Sequence, residues 1–263
     1  MSPDLAAKAM LLFDLSQQAL AIGFYVFLRI GAAMAVLPVF GEQIVPVRVR
    51  LGLAVAFTLV VSPAVAAQIA PLVAAEKPSL MPLFTETLAG LMVGLSVRLF
   101  FLALQMAGTI AAQSISLAQF FGGAGVEPQP AISQLLLAGG MCLAVLYGLH
   151  VQLAQLLVLS YDLLPPGVFP TGADSSRWGL ASISHAVALA FSLAAPFVIA
   201  SLIYNVALGV INRAMPHLMV SFVGAPALAL GGLLLLFLVV PLAMGVWIVD
   251  FGLFFATPFA GER

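Results

Sequence analysis

Charge is what this chain has least of. Its 263 residues include nine Lys and Arg and ten Asp and Glu, 7% of the total, against 63% hydrophobic residues and a mean hydropathy of +1.19. Ordinary soluble domains are about 45–50% apolar, and a soluble fold of this length needs a charged exterior that so few residues cannot supply. The excess apolar surface therefore faces lipid or partner proteins, which makes this an integral membrane protein. A formal net charge of −1 leaves no basic stripe, which excludes an electrostatic case for nucleic acid. The single cysteine, Cys142, excludes an internal disulfide and has no Cys or His neighbour at metal-ligand spacing; it reads as a small buried hydrophobe. The three histidines, His150, His185 and His217, are far apart and share no ligand spacing. There is no Gly-x-Ser-x-Gly elbow, glycine-rich phosphate loop or His-Glu-x-x-His helix, so the sequence makes no case for an enzyme or for a cofactor. With Asp4, Lys8 and Asp14 in the first fourteen residues and no basic n-region, no cleavable signal peptide is expected.

What is present is length without charge. Six apolar stretches, approximately 20–40, 51–73, 83–112, 132–159, 181–210 and 227–258, each exceed the roughly 20 residues that cross a hydrocarbon core. A helix satisfies its own backbone in lipid, so the expected fold is all-α with about six long hydrophobic helices in a single membrane domain over 1–263. Ser2-Pro3-Asp4 resembles a helix start, and a short amphipathic helix is expected over about 3–18. Pro63, Gly90, Gly94, Gly139-Gly140, Pro196, Gly231-Gly232 and Pro241 interrupt the stretches, and breaks at membrane depth need neighbouring helices to satisfy the freed backbone groups. If the spans alternate, Arg48, Arg50 and Arg213 fall on one side and Lys8, Lys77, Arg177 and Arg263 on the other. That balance gives no orientation by loop charge and hints at a topology set by assembly with partners.

Ionisable residues inside the stretches are costly. Arg29, Arg98 and Asp250 would each cost on the order of 2.5–3.5 kcal/mol at a lipid-facing helix centre, so they face protein, water or one another. A conduction path and a structural ion pair are the two readings. The pair, Arg98 or Arg29 with Asp250 or Glu86, is the expected one, because coupled transporters place several acids at mid-membrane and this chain has one clear example. A polar, proline-marked island stands between the last two stretches, at about 210–226: Asn212-Arg213-Ala214-Met215-Pro216-His217-Leu218, then Phe222-Val223-Gly224-Ala225-Pro226. Between the third and fourth stretches, at about 113–128, hydroxyl and small residues lead into Phe120-Phe121-Gly122-Gly123-Ala124-Gly125, closed by Glu127-Pro128. Glycine permits backbone angles that other residues resist. Two bulky aromatics on such a hinge suit a movable plug and equally suit an ordinary interhelical loop dipping into lipid.

At these residues the chain resembles the FliR proteins of the flagellar type III export gate and their injectisome counterparts. The resemblance is carried by Arg29, Pro38-x-Phe40, Val45-Pro46 with Arg48 and Arg50, and Leu53-Ala54. It continues with Ala107-Gly108, Gln113 and Phe120-Phe121, then Leu163-Leu164-Pro165-x-Gly167. It is strongest at Asn212-Arg213-x-x-Pro216-x-Leu218 and Phe222-x-x-Gly224-x-Pro226. The motifs span about 29–241; each alone is weak, and their order and spacing make the set specific.

The resemblance implies a non-enzymatic subunit of a gate in the bacterial inner membrane, within the flagellar basal body. There the helices lie as hairpins in a helical assembly with FliP-like and FliQ-like subunits and a FlhB-like export component. Unfolded export substrates pass through its central pore. It also implies that the mid-chain loop closes that pore, with Phe120, Phe121, Gly122, Gly123 and Gly125 as plug residues. Arg29, Arg98, Asn212, Arg213, Pro216, Gly224, Pro226 and Asp250 are then structural or partner contacts. Two departures from the family pattern stand out: Gly122–Val126 delays the acidic-proline pair that usually follows the phenylalanine, and His217 replaces a usual glutamine. An injectisome gate subunit is the nearer alternative; a small-solute transporter with a site near Arg98 and Asp250 is the more distant one.

Overall fold

The computed structural model describes residues 3–41, 45–74, 80–116, 131–215 and 220–258. They form seven helices: α1 (Pro3–Val36), α2 (Val47–Val73), α3 (Met81–Ser116), α4 (Ala131–Leu146), α5 (Leu149–Leu163), α6 (Gly172–Ala214) and α7 (Val220–Ala256). Among the described residues there is no strand. Five of the helices are individually long and apolar enough to cross a membrane, and α4 and α5 meet the same length and composition only as a pair, broken at residues 147–148. The six apolar stretches thus correspond to α1, α2, α3, α4 with α5, α6 and α7, and the fold is all-α as expected.

The punctuation differs from the expectation in physically instructive ways. The short helix expected over 3–18 is continuous with the first apolar stretch, since α1 runs unbroken to Val36. Pro63 lies inside α2, Pro196 inside α6 and Pro241 inside α7, and all three helices continue through them. The fourth stretch breaks at Gly148, where φ is +82°, and α4 passes straight through Gly139 and Gly140. Only glycine adopts that left-handed angle freely. At Gly140 an added Cβ would collide with the Leu104 side chain, so this glycine is kept for close packing. Cys142, expected to be buried, is exposed.

The described chain gathers into two compact units. The first comprises Met1–Arg98 and Gly148–Arg177, the second Leu99–Tyr147 and Trp178–Arg263. In the first unit, α1, α2, α5 and the leading half of α3 enclose a core that includes Val26, Ile30, Met34, Val61, Val65, Val97, Leu153 and Leu157. Here α1 approaches α3 at two glycines one turn apart. A Cβ at Gly90 would overlap the carbonyl oxygen of Arg29, and one at Gly94 would come within 2.7 Å of that of Ala33. This is the small-x-x-x-small packing that apolar helices use when they have no hydrophobic driving force between them.

Because the obstruction at Gly90 is backbone, no rotamer change relieves it. Gly90→Ala is therefore expected to lower stability by about 1–3 kcal/mol. Gly52→Ala, on a helix face with nothing within 4 Å of the added atom, is expected to be neutral or slightly stabilising. Thermal unfolding of the two variants in detergent checks the opposite signs.

In the second unit the core is aromatic. Trp247 is fully buried and donates its indole N–H to the Phe100 carbonyl at 2.9 Å. It stacks on Phe251 with ring centroids 4.9 Å apart and meets Phe101 edge-on at 5.3 Å. Buried Trp requires such a partner for its N–H. The approach of α3 to α4 is again made by glycine, since a Cβ at Gly108 would overlap the Ser133 backbone, while the Ser133 hydroxyl donates to Gln105 O at 2.9 Å.

Much apolar surface remains outside both cores. Only 22% of the most apolar stretch of α7 is buried, and Phe237 on it is 77% exposed. In water such a surface would be an aggregation hazard; it is the surface of a chain that is covered by lipid or by other helices.

Candidate functional site

The chemistry of the first unit is concentrated on one buried arginine. Arg29, in the last third of α1, has no exposed surface, and neither has Glu86 near the start of α3. The two form a forked pair: Arg29 Nε donates to Glu86 Oε2 at 2.8 Å and Nη2 to Oε1 at 3.1 Å. The remaining guanidinium hydrogens reach the end of α5 and the turn after it. Nη1 donates to the Ser160 carbonyl at 3.0 Å and to its hydroxyl oxygen at 3.2 Å, and Nη2 donates to the Leu164 carbonyl at 2.9 Å. All five N–H donors are thereby used. The guanidinium carbon also lies 3.7 Å from the centroid of the Tyr161 ring, a cation–π contact.

The turn that follows α5 closes the other side. Gly167, at φ +77°, donates its backbone N–H towards Glu86 Oε1 at 3.4 Å, and a Cβ there would strike Leu72. Arg29 thus ties α1, α3, α5 and the Leu164–Gly167 turn together through one charge. Planar guanidinium geometry suits this role better than an ammonium would. A buried pair of this kind is weak evidence for net stability, because desolvation of both ions offsets their attraction; its removal by halves is costly.

The other ionisable residues go elsewhere. Arg98 is exposed and donates to the Val36 carbonyl at 3.1 Å. Asp250 is hydrogen-bonded to His185, with Oδ2 and Nε2 2.8 Å apart. Of the pairings expected from sequence, Arg29 with Glu86 is the one formed, and Asp250 has histidine as its partner. Asn212 and Arg213 are exposed near the end of α6. Gly224 and Pro226 belong to α7, without described side chains, and Pro216 lies outside the described residues. The residues expected to form a plug, Phe120, Phe121, Gly122, Gly123 and Gly125, also lie outside them; α3 extends helically to Ser116, into the beginning of that region.

Sequence reasoning missed Tyr161, Ser160 and the two backbone carbonyls, which carry no signal of their own in a list of residue types. It also set His185 aside with the other histidines. A usable clue was present: a lone His and a lone Asp in consecutive apolar stretches, each needing a polar neighbour. Among the described residues no group of three or more His, Cys, Asp and Glu side chains could hold a metal ion.

These features define a class, an all-α membrane protein in which the Arg29–Glu86 pair and the His185–Asp250 couple join helices. The matching family model, bacterial export proteins, family 1, spans residues 20–253, and the chain belongs to that family. It is similar to the flagellar biosynthetic protein FliR of Caulobacter vibrioides, 30% identical over 224 residues that cover 84% of this chain and 89% of the relative. Proteins of the same description from Escherichia coli K12 (28% identical, 83% of this chain and 84% of the relative) and Bacillus subtilis 168 (27%, 76% and 79%) are also similar. The family resemblance read from the short motifs is thus borne out over most of the chain.

Proposed function

We propose that this chain is a non-enzymatic, FliR-type subunit of the flagellar protein-export apparatus in the inner membrane. In this reading it assembles with FliP-like and FliQ-like subunits and a FlhB-like component into a protein-conducting gate. The loop around Phe120 and Phe121 preserves the permeability barrier when no export substrate is in transit. The observation that carries the reading is the family match along residues 20–253, which spans nearly the whole helical chain. The weak burial of α7 and α2, 22% and 28% of their most apolar stretches, supports it, because such helices are suited to being covered by neighbours.

The chemistry follows from the absence of any required bond-making step. A gate subunit needs a rigid scaffold, a surface for partners and a closure. The Arg29 hub and the glycine-packed α1–α3 crossing supply rigidity. The exposed apolar faces supply contact area. The glycine-rich segment after α3 supplies the closure.

Deletion of the gene in its own host tests this. The expected outcome is loss of flagellar subunits from the culture medium with growth on small solutes unchanged, and export restored by the gene in trans. Normal flagellar export with defective uptake of one solute would contradict the reading and favour a transporter.

A further inference from the structure

In the second unit, α6 and α7 each bring one ionisable side chain to the surface at the same place. His185 Nε2 and Asp250 Oδ2 are 2.8 Å apart, and the side chains remain 54% and 26% exposed. The inner side of the couple is aromatic and uncharged. The imidazole rests on Phe100 with centroids 5.9 Å apart, and Phe100 in turn packs on Phe251 and Phe254. Among the described residues, Asp250 has this one hydrogen bond, and its other carboxylate oxygen, Oδ1, has none.

The surroundings say what kind of group completes it. On α7 the neighbours one turn either side, Val246 and Leu253, are 56% and 59% exposed, so the carboxylate lies in an apolar face. Left against hydrocarbon it would be costly, as the scale for acids in apolar helices shows. On α6 the face that carries His185 is made of small exposed residues at helical spacing, Ala181, Ala188 and Ser192. Small residues let another helix backbone come close. An open carboxylate beside a small-residue face is complementary to a helix that brings a cation.

We propose that His185 and Asp250 are the polar anchor of a helix-docking face, occupied by an apolar helix of an unlike subunit whose Arg or Lys reaches Asp250 Oδ1. The inference rests on the multi-subunit reading above and adds to it the location and the charge of one contact. His185 acts as the positioning residue, since its hydrogen bond engages Oδ2 and leaves Oδ1 for the partner's cation.

The test is site-specific photo-crosslinking in membranes of the native host, with benzoylphenylalanine placed at Val246 or at Leu253 of the otherwise unaltered chain. The expected product is an adduct with one other membrane protein, mapped by mass spectrometry to within a helical turn of an Arg or Lys. Asp250→Asn is expected to lower adduct yield at least about tenfold, the scale of a lost interfacial charge contact, and Asp250→Glu to retain most of it. Adducts with lipid alone, with a second copy of this chain, or with a helix lacking a basic residue would overturn the proposal, as would an unchanged yield in Asp250→Asn. An adduct with a basic helix of a protein unrelated to export would leave the docking face standing and contradict the gate reading. Recovery of export partners without crosslinks at Val246 or Leu253 would do the reverse.

Discussion

Arg29→Ala is expected to be the most damaging single substitution in the first unit. It strands the Glu86 carboxylate where neither side chain has appreciable exposure and removes the donors to Ser160 and Leu164. Breaking a buried pair from one side costs about 3–5 kcal/mol, a large part of the roughly 5–15 kcal/mol that holds a typical domain together. The variant should therefore accumulate poorly in membranes and unfold at a markedly lower temperature in detergent. Arg29→Lys should fall between, because an ammonium keeps the charge and loses the planar fork.

The paired substitution Arg29→Met with Glu86→Leu separates two explanations. If a stranded charge is the cause, removing both charges recovers much of the loss. The remaining deficit should be about 1–3 kcal/mol, for the Leu164 carbonyl that loses its Arg29 donor, since the Ser160 carbonyl keeps the Leu164 N–H at 2.9 Å. A double variant as unstable as Arg29→Ala would show that the carbonyl contacts, and not the ion pair, dominate. Thermal unfolding of the three variants side by side decides between them.

A gate lacking residues 119–125 is expected to leak. On the proposed plug reading these residues, with Phe120 and Phe121, close the path. The deletion should leave recovery of partner subunits at the wild-type level while membrane permeability to small ions rises sharply, measured as loss of membrane potential in cells or as ion current in a bilayer. Unchanged permeability with the assembly intact would remove the plug assignment and leave the gate reading to stand on the family match.

How far the sequence could be read follows from what each feature depends on. The apolar stretches were legible because a bilayer crossing demands length, and length survives in one dimension. The role of each glycine was not. Gly139-Gly140 looks like a break and lies within α4, whereas Gly148 is the break, because the same residue type serves close packing in one place and a left-handed turn in another. Gly90 and Gly94 were read as interruptions and prove to be the crossing point of α1 and α3, as their spacing of four could have suggested. The pairing of Arg29 with Glu86 stood among several expected pairings, since a contact across 57 residues leaves no local trace. The carbonyls of Ser160 and Leu164 were beyond reach, because a backbone acceptor has no letter. The Leu163–Gly167 motif, noted for its turn, turns out to supply both Leu164 and Gly167 to the hub.

Co-purification tests the central claim most directly. The tagged chain is extracted gently from membranes of its own host, and whatever remains bound is identified by mass spectrometry. The account predicts small, equally apolar FliP-like and FliQ-like proteins in one complex with it. A stable monomer or a clean homo-oligomer without such partners would contradict it.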